Sequence, residues 1–429
     1  MEPEETHPTP PSKLEDEQPA LDPPGDADGD PGWRLTLYAA WVAQLFCIIG
    51  FSFVMPFFPF YIRDLGVPDR VVPIWAGFLA TAGGITMTAA GPLWGMVADR
   101  YGRKLMVQRA MFGGAVVLGM MGLARNVYQL LALRFLQGTI TGTVPASIAL
   151  VSSVTPKNRM GYSLGLMQMA VFTGASVGPW LGGAVADRFG YRVPFAVTGA
   201  LLFCGGLLVL FGTRERFKRP EPHEAMGAGS IRGLLSLRGV VTLLLVYFML
   251  SLSGSIVGPI FPLFVESLMK TPERAASITG MLLAIGGIVA ALASVTIGRS
   301  SDRFGHRRVL ILTISLAGLF CFPQAVVRTV GQLLAIRILF GFAAGGMAPT
   351  VNALVTNIVP RSYLGRTYGL TTSANSLGMA LGPSLGGWLA AAAGLRFPFV
   401  LMGAMLLLLA LMVHQRVSPA TTSPDAPDS

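Results

Sequence analysis

Apolar runs separated by short polar breaks fill the chain, near residues 35–60, 73–96, 105–124, 127–150, 162–186, 194–212, 239–265, 275–297, 308–327, 330–356, 365–390 and 395–414. A helix of roughly 20 apolar residues crosses the hydrocarbon core of a bilayer, so each run predicts one membrane span. The runs are continuous, whereas a barrel would read as alternating segments of about ten residues. Several hold Pro or Gly, which membrane helices tolerate when neighbouring helices repair the backbone. The expected fold class is an all-α membrane protein with twelve transmembrane helices.

The polar breaks carry a second pattern. "GMVADRYGRKLMV" (Gly95–Val107) and "GRSSDRFGHRRVL" (Gly298–Leu310) share one order: Gly, Asp-Arg, aromatic, Gly, then basic residues, with Asp99 and Asp302 203 positions apart. Pro56, Pro59, Arg134, Gly138 and Gly142 recur at the same offset as Pro259, Pro262, Arg337, Gly341 and Gly345. Further on, Pro156, Pro179, Arg192 and Pro194 recur at offset 204 as Pro360, Pro383, Arg396 and Pro398. The chain therefore reads as two pseudo-symmetric six-helix bundles, residues 33–212 and 239–416, joined by a polar cytosolic linker over 213–238. Residues 1–32 form an acidic, Pro-rich tail and 417–429 a second tail, both expected to be disordered. The first tail has no apolar core of the kind a signal peptide needs. Parallel six-helix halves are a transporter architecture, with the substrate site near midplane where they meet.

Charge sharpens this picture. Only 13% of residues are charged and 52% are hydrophobic, against about 25% charged in an ordinary soluble domain. Ten of the 22 acids lie in residues 1–30, so the body is basic as well as apolar. A nucleic-acid partner would need a solvated basic face, and here the basic residues sit in breaks between spans. Placing both termini in the cytosol puts 21 Lys and Arg on that side and nine on the other, with Arg134 and Arg337 inside spans. That bias predicts the orientation in the cytoplasmic membrane. The three cysteines (Cys47, Cys204, Cys321) fall in separate apolar runs and the four His in tails or polar breaks, so neither a metal nor a cofactor is expected. No Gly-Lys-Ser/Thr phosphate loop is present. The chain is not expected to be an enzyme.

Several residue sets have a physical reason to matter. In the charged breaks, Gly95, Asp99, Arg100, Gly102, Arg103 and Lys104, with Gly298, Asp302, Arg303, Gly305, Arg307 and Arg308, can form a latch that holds one state and parts in another. The glycines would permit a tight turn and close helix approach; fixing topology alone would not require the two Asp. Arg134, Gln137 and Gly138 share a helix face, and a cation inside a span should face the bundle interior. Arg134 is read as a cavity residue and Arg337 as structural. Gln44, Gln168, Asn352 and Asn375 are neutral polar residues inside spans, and with Phe51 and Met55 they would line an adaptable, mostly apolar pocket. Gly174, Gly178 and Gly182 around Pro179, repeated as Gly378, Gly382 and Gly386 around Pro383, form small-residue stripes that allow close packing in lipid. They read as a pliable seam.

Four stretches resemble a known family. "GMVADRYGRK" (Gly95–Lys104), "LRFLQGTITG" (Leu133–Gly142), "GASVGPWLGG" (Gly174–Gly183) and "FSFVMPFFPFYIRDLGV" (Phe51–Val67) are similar, in order and spacing, to signatures of the major facilitator superfamily, in its twelve-span drug:proton antiporter branch. The resemblance implies export of lipophilic or amphipathic drugs by alternating access, in exchange for protons. It also implies an acid within the first or fourth span, which this chain lacks. Glu266 and Asp187, at the outer ends of spans 7 and 5, are the remaining proton-carrier candidates. The expected partners are a small-molecule substrate, protons and the lipid bilayer, with the chain acting as a monomer. The alternative is transport of one sugar-like or anionic metabolite, for which Arg134 and the Gln/Asn set would serve.

Overall fold

The structure is a computed structural model that describes residues 32–215, 239–359 and 364–416. Among these the chain is helical throughout, with no strand. The tails and most of the expected linker lie outside the described residues, as do Arg361 and the side chains of Asp99 and Arg366.

Ten helical stretches are long and apolar enough to cross a membrane. Two further helices, Arg103–Met121 and Leu364–Ala393, complete the order. Their mean hydropathy is lowered by Arg103, Lys104 and Arg109 in the first and by the Thr-Thr-Ser-Ala-Asn-Ser stretch in the second. In chain order the spans are span 1 (Trp33–Phe53, continued by Phe58–Asp64), span 2 (Val72–Tyr101), span 3 (Arg103–Met121), span 4 (Val127–Ile140 and Thr143–Val154), span 5 (Met160–Phe189) and span 6 (Val193–Gly212). They continue as span 7 (Val240–Ile256 and Phe261–Ser267), span 8 (Ala275–Phe304), span 9 (His306–Val326), span 10 (Val330–Gly345 and Met347–Ile358), span 11 (Leu364–Ala393) and span 12 (Phe397–Arg416). Spans 1, 4, 7 and 10, expected to be continuous, are each interrupted. The interruptions fall at Pro56 and Gly142, at the repeat Pro259, and at Gly346, one residue beyond Gly345, the repeat of Gly142. Proline lacks the N–H that would continue a helix, and Gly142 leaves the helical region altogether with φ of 129°.

The packing repeats as the sequence does. Span 1 packs on spans 5 and 6, span 3 on spans 4 and 6, and span 2 on span 4; spans 7, 9 and 8 make the corresponding contacts with 11 and 12, 10 and 12, and 10. Individual pairs recur too. Tyr61 lies against Phe195 with ring centres 4.9 Å apart, and their counterparts Phe264 and Phe399 are 4.6 Å apart. An even number of spans brings both ends of the chain to one side, here the terminal face; the other side is the far face.

The two charged breaks are one-residue links. Gly102 joins spans 2 and 3 at φ 93° and ψ 160°, and Gly305 joins spans 8 and 9 at φ 91° and ψ 128°. A side chain in this region clashes with its own backbone, a strain of roughly 1–3 kcal/mol. Gly102→Val and Gly305→Val should therefore each lower the thermal unfolding midpoint in detergent. Gly119→Ala, on an open helical face, should change it little; equal behaviour of all three variants would refute the strained link.

Candidate functional site

Glycines on span 2 report how the halves meet. Gly77, Gly84 and Gly91 are seven residues apart on one face, about 10 Å of helix per step. A Cβ at Gly77 would collide with the Pro383 carbonyl and come within 3.1 Å of the Ser384 Cα on span 11; at Gly84 it would stand 3.3 Å from the Ala380 Cα; at Gly91 and Gly95 nothing lies within 4 Å. The second seam repeats this. Gly280 of span 8 abuts Pro179 and Trp180 of span 5, and Gly287, seven residues on, meets the Ser176 hydroxyl at 3.1 Å. Gly161 and Gly165, at the terminal end of span 5, have open space. The halves touch backbone to backbone at the far face and diverge toward the terminal face.

Polar side chains fasten the closed end. Arg63 of span 1 forks onto Glu266 of span 7 with N···O distances of 2.8 and 2.9 Å, and its Nε lies 2.5 Å from Asp69. Asp187, at the end of span 5, accepts hydrogen bonds from the backbone N–H and hydroxyl of Ser277, at 2.7 and 2.5 Å, where span 8 begins. On the other seam the Ser384 hydroxyl lies 2.7 Å from the Thr81 hydroxyl. Tyr191, in the link between spans 5 and 6, lies among these charges. Burial pushes its hydroxyl pKa up, with Asp187 and Glu266 adding to the effect and Arg63 opposing it.

Polar groups from several spans line the middle of the molecule. Arg134 donates to Gln137 at 2.8 Å and stands 4.1 Å from the ring centre of Phe58. Its repeat, Arg337, lies 4.5 Å from Phe261, the counterpart of Phe58, and 5.6 Å from Phe340, which replaces Gln137. In the second half, Tyr247 donates to Asn352 at 2.5 Å, and the Ser251 hydroxyl donates to Asn375. Gln44 is fully buried, with neither side-chain atom partnered among the described residues. Phe51 is half-buried, and Met55 and Gln168 are exposed.

At the terminal face the charged motifs bind within their own half. Arg103 donates to the Ala149 carbonyl of span 4 at 3.1 Å, and Lys104 to the Leu210 and Thr213 carbonyls at the end of span 6, at 2.9 and 2.6 Å. Glu215 caps span 3 by accepting from the backbone N–H of Arg103 and Lys104. Arg307 repeats the Lys104 contact on the His414 carbonyl at 2.5 Å, while Asp302 lies 3.9 Å from His306. Arg100 lies over Tyr101, and Arg303 and Arg308 are exposed. One expectation needs correction. Gly95, expected to permit close helix approach, faces open space because the halves have separated at that depth. The stripes Gly174, Gly178, Gly182 and Gly378, Gly382, Gly386 make the close helix packing expected of them, on spans 1 and 7 of their own halves, one helix face away from the joint between halves.

That joint is made by Gly77, Gly183, Gly280 and Gly387 with Pro73, Pro179 and Pro383. Sequence reasoning passed over these glycines, and also Arg63, Tyr247 and Ser251. The glycines carry a readable signal: Gly77 and Gly280 differ by 203, and Gly183 and Gly387 by 204, the two repeat offsets.

A family model described as Major Facilitator Superfamily matches residues 40–268 and again 243–428. Multidrug resistance protein MdtG of Citrobacter koseri is 33% identical over 377 residues, covering 87% of this chain and 93% of that protein. A multi-drug resistance efflux pump PmrA homolog of Lactococcus lactis is 32% identical over 355 residues, covering 82% of this chain and 88% of that one. Among solved structures, a bacterial homolog of the human lysosomal transporter Spinster, in an inward-facing and occupied conformation, aligns with a TM-score of 0.78 at 16% identity, over 94% of this chain and all of that one. The nucleoside transporter NupG aligns with a TM-score of 0.74 at 14% identity, over 90% of this chain and all of that one. These two likenesses are of fold.

If the glycine joint sets the closed end, Gly280→Leu should hold the far face apart. In a cysteine-free background, a cysteine at the fully buried Ala276 should then gain reactivity toward a water-soluble maleimide. Unchanged labelling would refute the role of this contact.

Proposed function

The chain belongs to the major facilitator superfamily, and we propose that it exports amphipathic or lipophilic drugs from the cytosol in exchange for protons. The observation that carries this reading is the match, over most of both chains, to proteins named for multidrug resistance. The charge bias of 21 Lys and Arg against nine supports both termini in the cytosol and insertion in the cytoplasmic membrane. The terminal face is then cytosolic and the far face external, so the diverging helices describe an inward-facing state. Residues 33–212 and 239–416 rock as two bodies about the glycine joint, and the chain works as a monomer.

Glu266 is the proton carrier of this reading, with Asp187 in second place. The fork to Arg63 uses both oxygens of an ionised Glu266 carboxylate. Holding a proton there and closing the outer face in this way exclude each other. Protonation from outside opens the outer face for release of drug; reclosure displaces the proton into the pathway then open to the cytosol. Arg134, with its Gln137 bond, meets the substrate, whereas Arg337 packs among aromatic rings.

In everted membrane vesicles, a pH gradient, acidic inside, should drive accumulation of a lipophilic dye such as ethidium, and a protonophore should abolish it. Indifference to the gradient would exclude proton coupling. Glu266→Gln should keep dye exchange down its own gradient while losing the pH-driven part; full pH-driven uptake in that variant would remove Glu266 from the role. Arg134→Ala should raise the KM for dye more than Arg337→Ala, and equal effects would assign both arginines to packing.

A further inference from the structure

We infer that the corner between spans 2, 3 and 4 at the terminal face binds the phosphate of an anionic phospholipid, with Arg109 as its cationic anchor. Arg109 lies on span 3, six residues or about 9 Å of helix from the terminal end. Its guanidinium carbon stands 3.3 Å from the ring centre of Trp94 on span 2. The Nε and Nη1 atoms are buried with no hydrogen-bond partner among the described residues, and no carboxylate there reaches the group. An indole face attracts the cation but does not neutralise it. In lipid an unpaired guanidinium is costly, and a phosphate supplies the negative charge and the acceptor it lacks.

The surrounding geometry places that phosphate at the right depth. Span 2 has 30 residues, so it is about 45 Å long and overshoots a core of about 30 Å by roughly 7 Å at each end. Trp94, seven residues or about 10 Å before its terminal end, sits near the boundary between headgroups and acyl chains. Its indole N–H donates at 2.6 Å to the Thr139 carbonyl, which the break of span 4 at Gly142 deprives of a helical partner. Leu105, one turn from Arg109 on the same stripe toward the terminal end, is exposed, leaving the corner open on that side.

The repeat supplies the control. In the second half the positions of Trp94, Arg109 and Thr139 are Ile297, Leu312 and Phe342. Ile297 packs on Gly346, while Leu312 is 58% and Phe342 52% exposed, so this register looks outward. The second half builds this corner without the stacked pair: its one arginine there, Arg308, stands at the position of Leu105, one turn nearer the terminal face, and is exposed. What the first half alone has is an arginine one turn deeper, stacked on a tryptophan.

The purified full chain tests this in nanodiscs of phosphatidylethanolamine with and without phosphatidylglycerol. Phosphatidylglycerol should raise the unfolding midpoint of the parent and leave that of Arg109→Leu, which takes the residue of the second half, unmoved. An equal rise in both proteins would overturn the site. In lipid-free detergent, inorganic phosphate alone should give no such rise; if it did, a free anion would replace the lipid. Should Arg109→Leu not fold, brominated lipids read the contact in the folded parent. The fluorescence lost to brominated phosphatidylglycerol should exceed that lost to brominated phosphatidylcholine in the parent, and this excess should vanish in Trp94→Phe. An excess that persists in Trp94→Phe, or is absent in the parent, would overturn the proposal.

Discussion

Backbone resting directly on backbone is the constraint on which the other features depend. Where Gly77 meets Pro383 and Gly280 meets Pro179, no side chain on the glycine separates the helices, and in lipid such closeness is the main source of attraction between spans. The contact is confined to one end of each long helix, and the halves part from it toward the terminal face. The polar fastenings at Arg63, Asp187 and Ser384 lie at this closed end, where the halves are already in touch.

Periodicity and repetition made most of the architecture legible. Continuous apolar runs announce spans, and residues recurring at offsets of 203 and 204 announce two copies of one bundle. What the runs conceal is where a helix breaks. A proline or glycine inside a run is compatible with a straight span or a broken one, and only packing chose a break at Gly142. The glycine stripes illustrate a related limit. Gly178 and Gly182 stand beside Gly183 in sequence, yet the first two face span 1 and the third faces the opposite half. A rotation of about 100° per residue separates the two destinations, and no local property of glycine reveals it.

The site was less legible because it rests on differences between the copies. Gln137 faces Phe340 across the repeat, Gln44 faces Tyr247, and Trp94 with Arg109 faces Ile297 with Leu312. Asn352 and Asn375 stand out in an apolar run, but their partners Tyr247 and Ser251 do not. Tyrosine and serine are ordinary residues of membrane helices, and only three-dimensional pairing marks them. Likewise, Glu266 attracts notice as a rare acid, whereas Arg63 reads as one more basic residue at the end of a span.

Arg63 and Glu266 occupy the same place in the two copies, 203 residues apart. Repeat-related positions can meet only where they lie beside the pseudo-twofold axis, and this pair does. An ancestor assembled from two identical six-helix chains would have set arginine against arginine there, or glutamate against glutamate, and repelled itself. A pair of opposite charges at one repeat position therefore requires two copies that differ there, so this fastening depends on the halves being unlike.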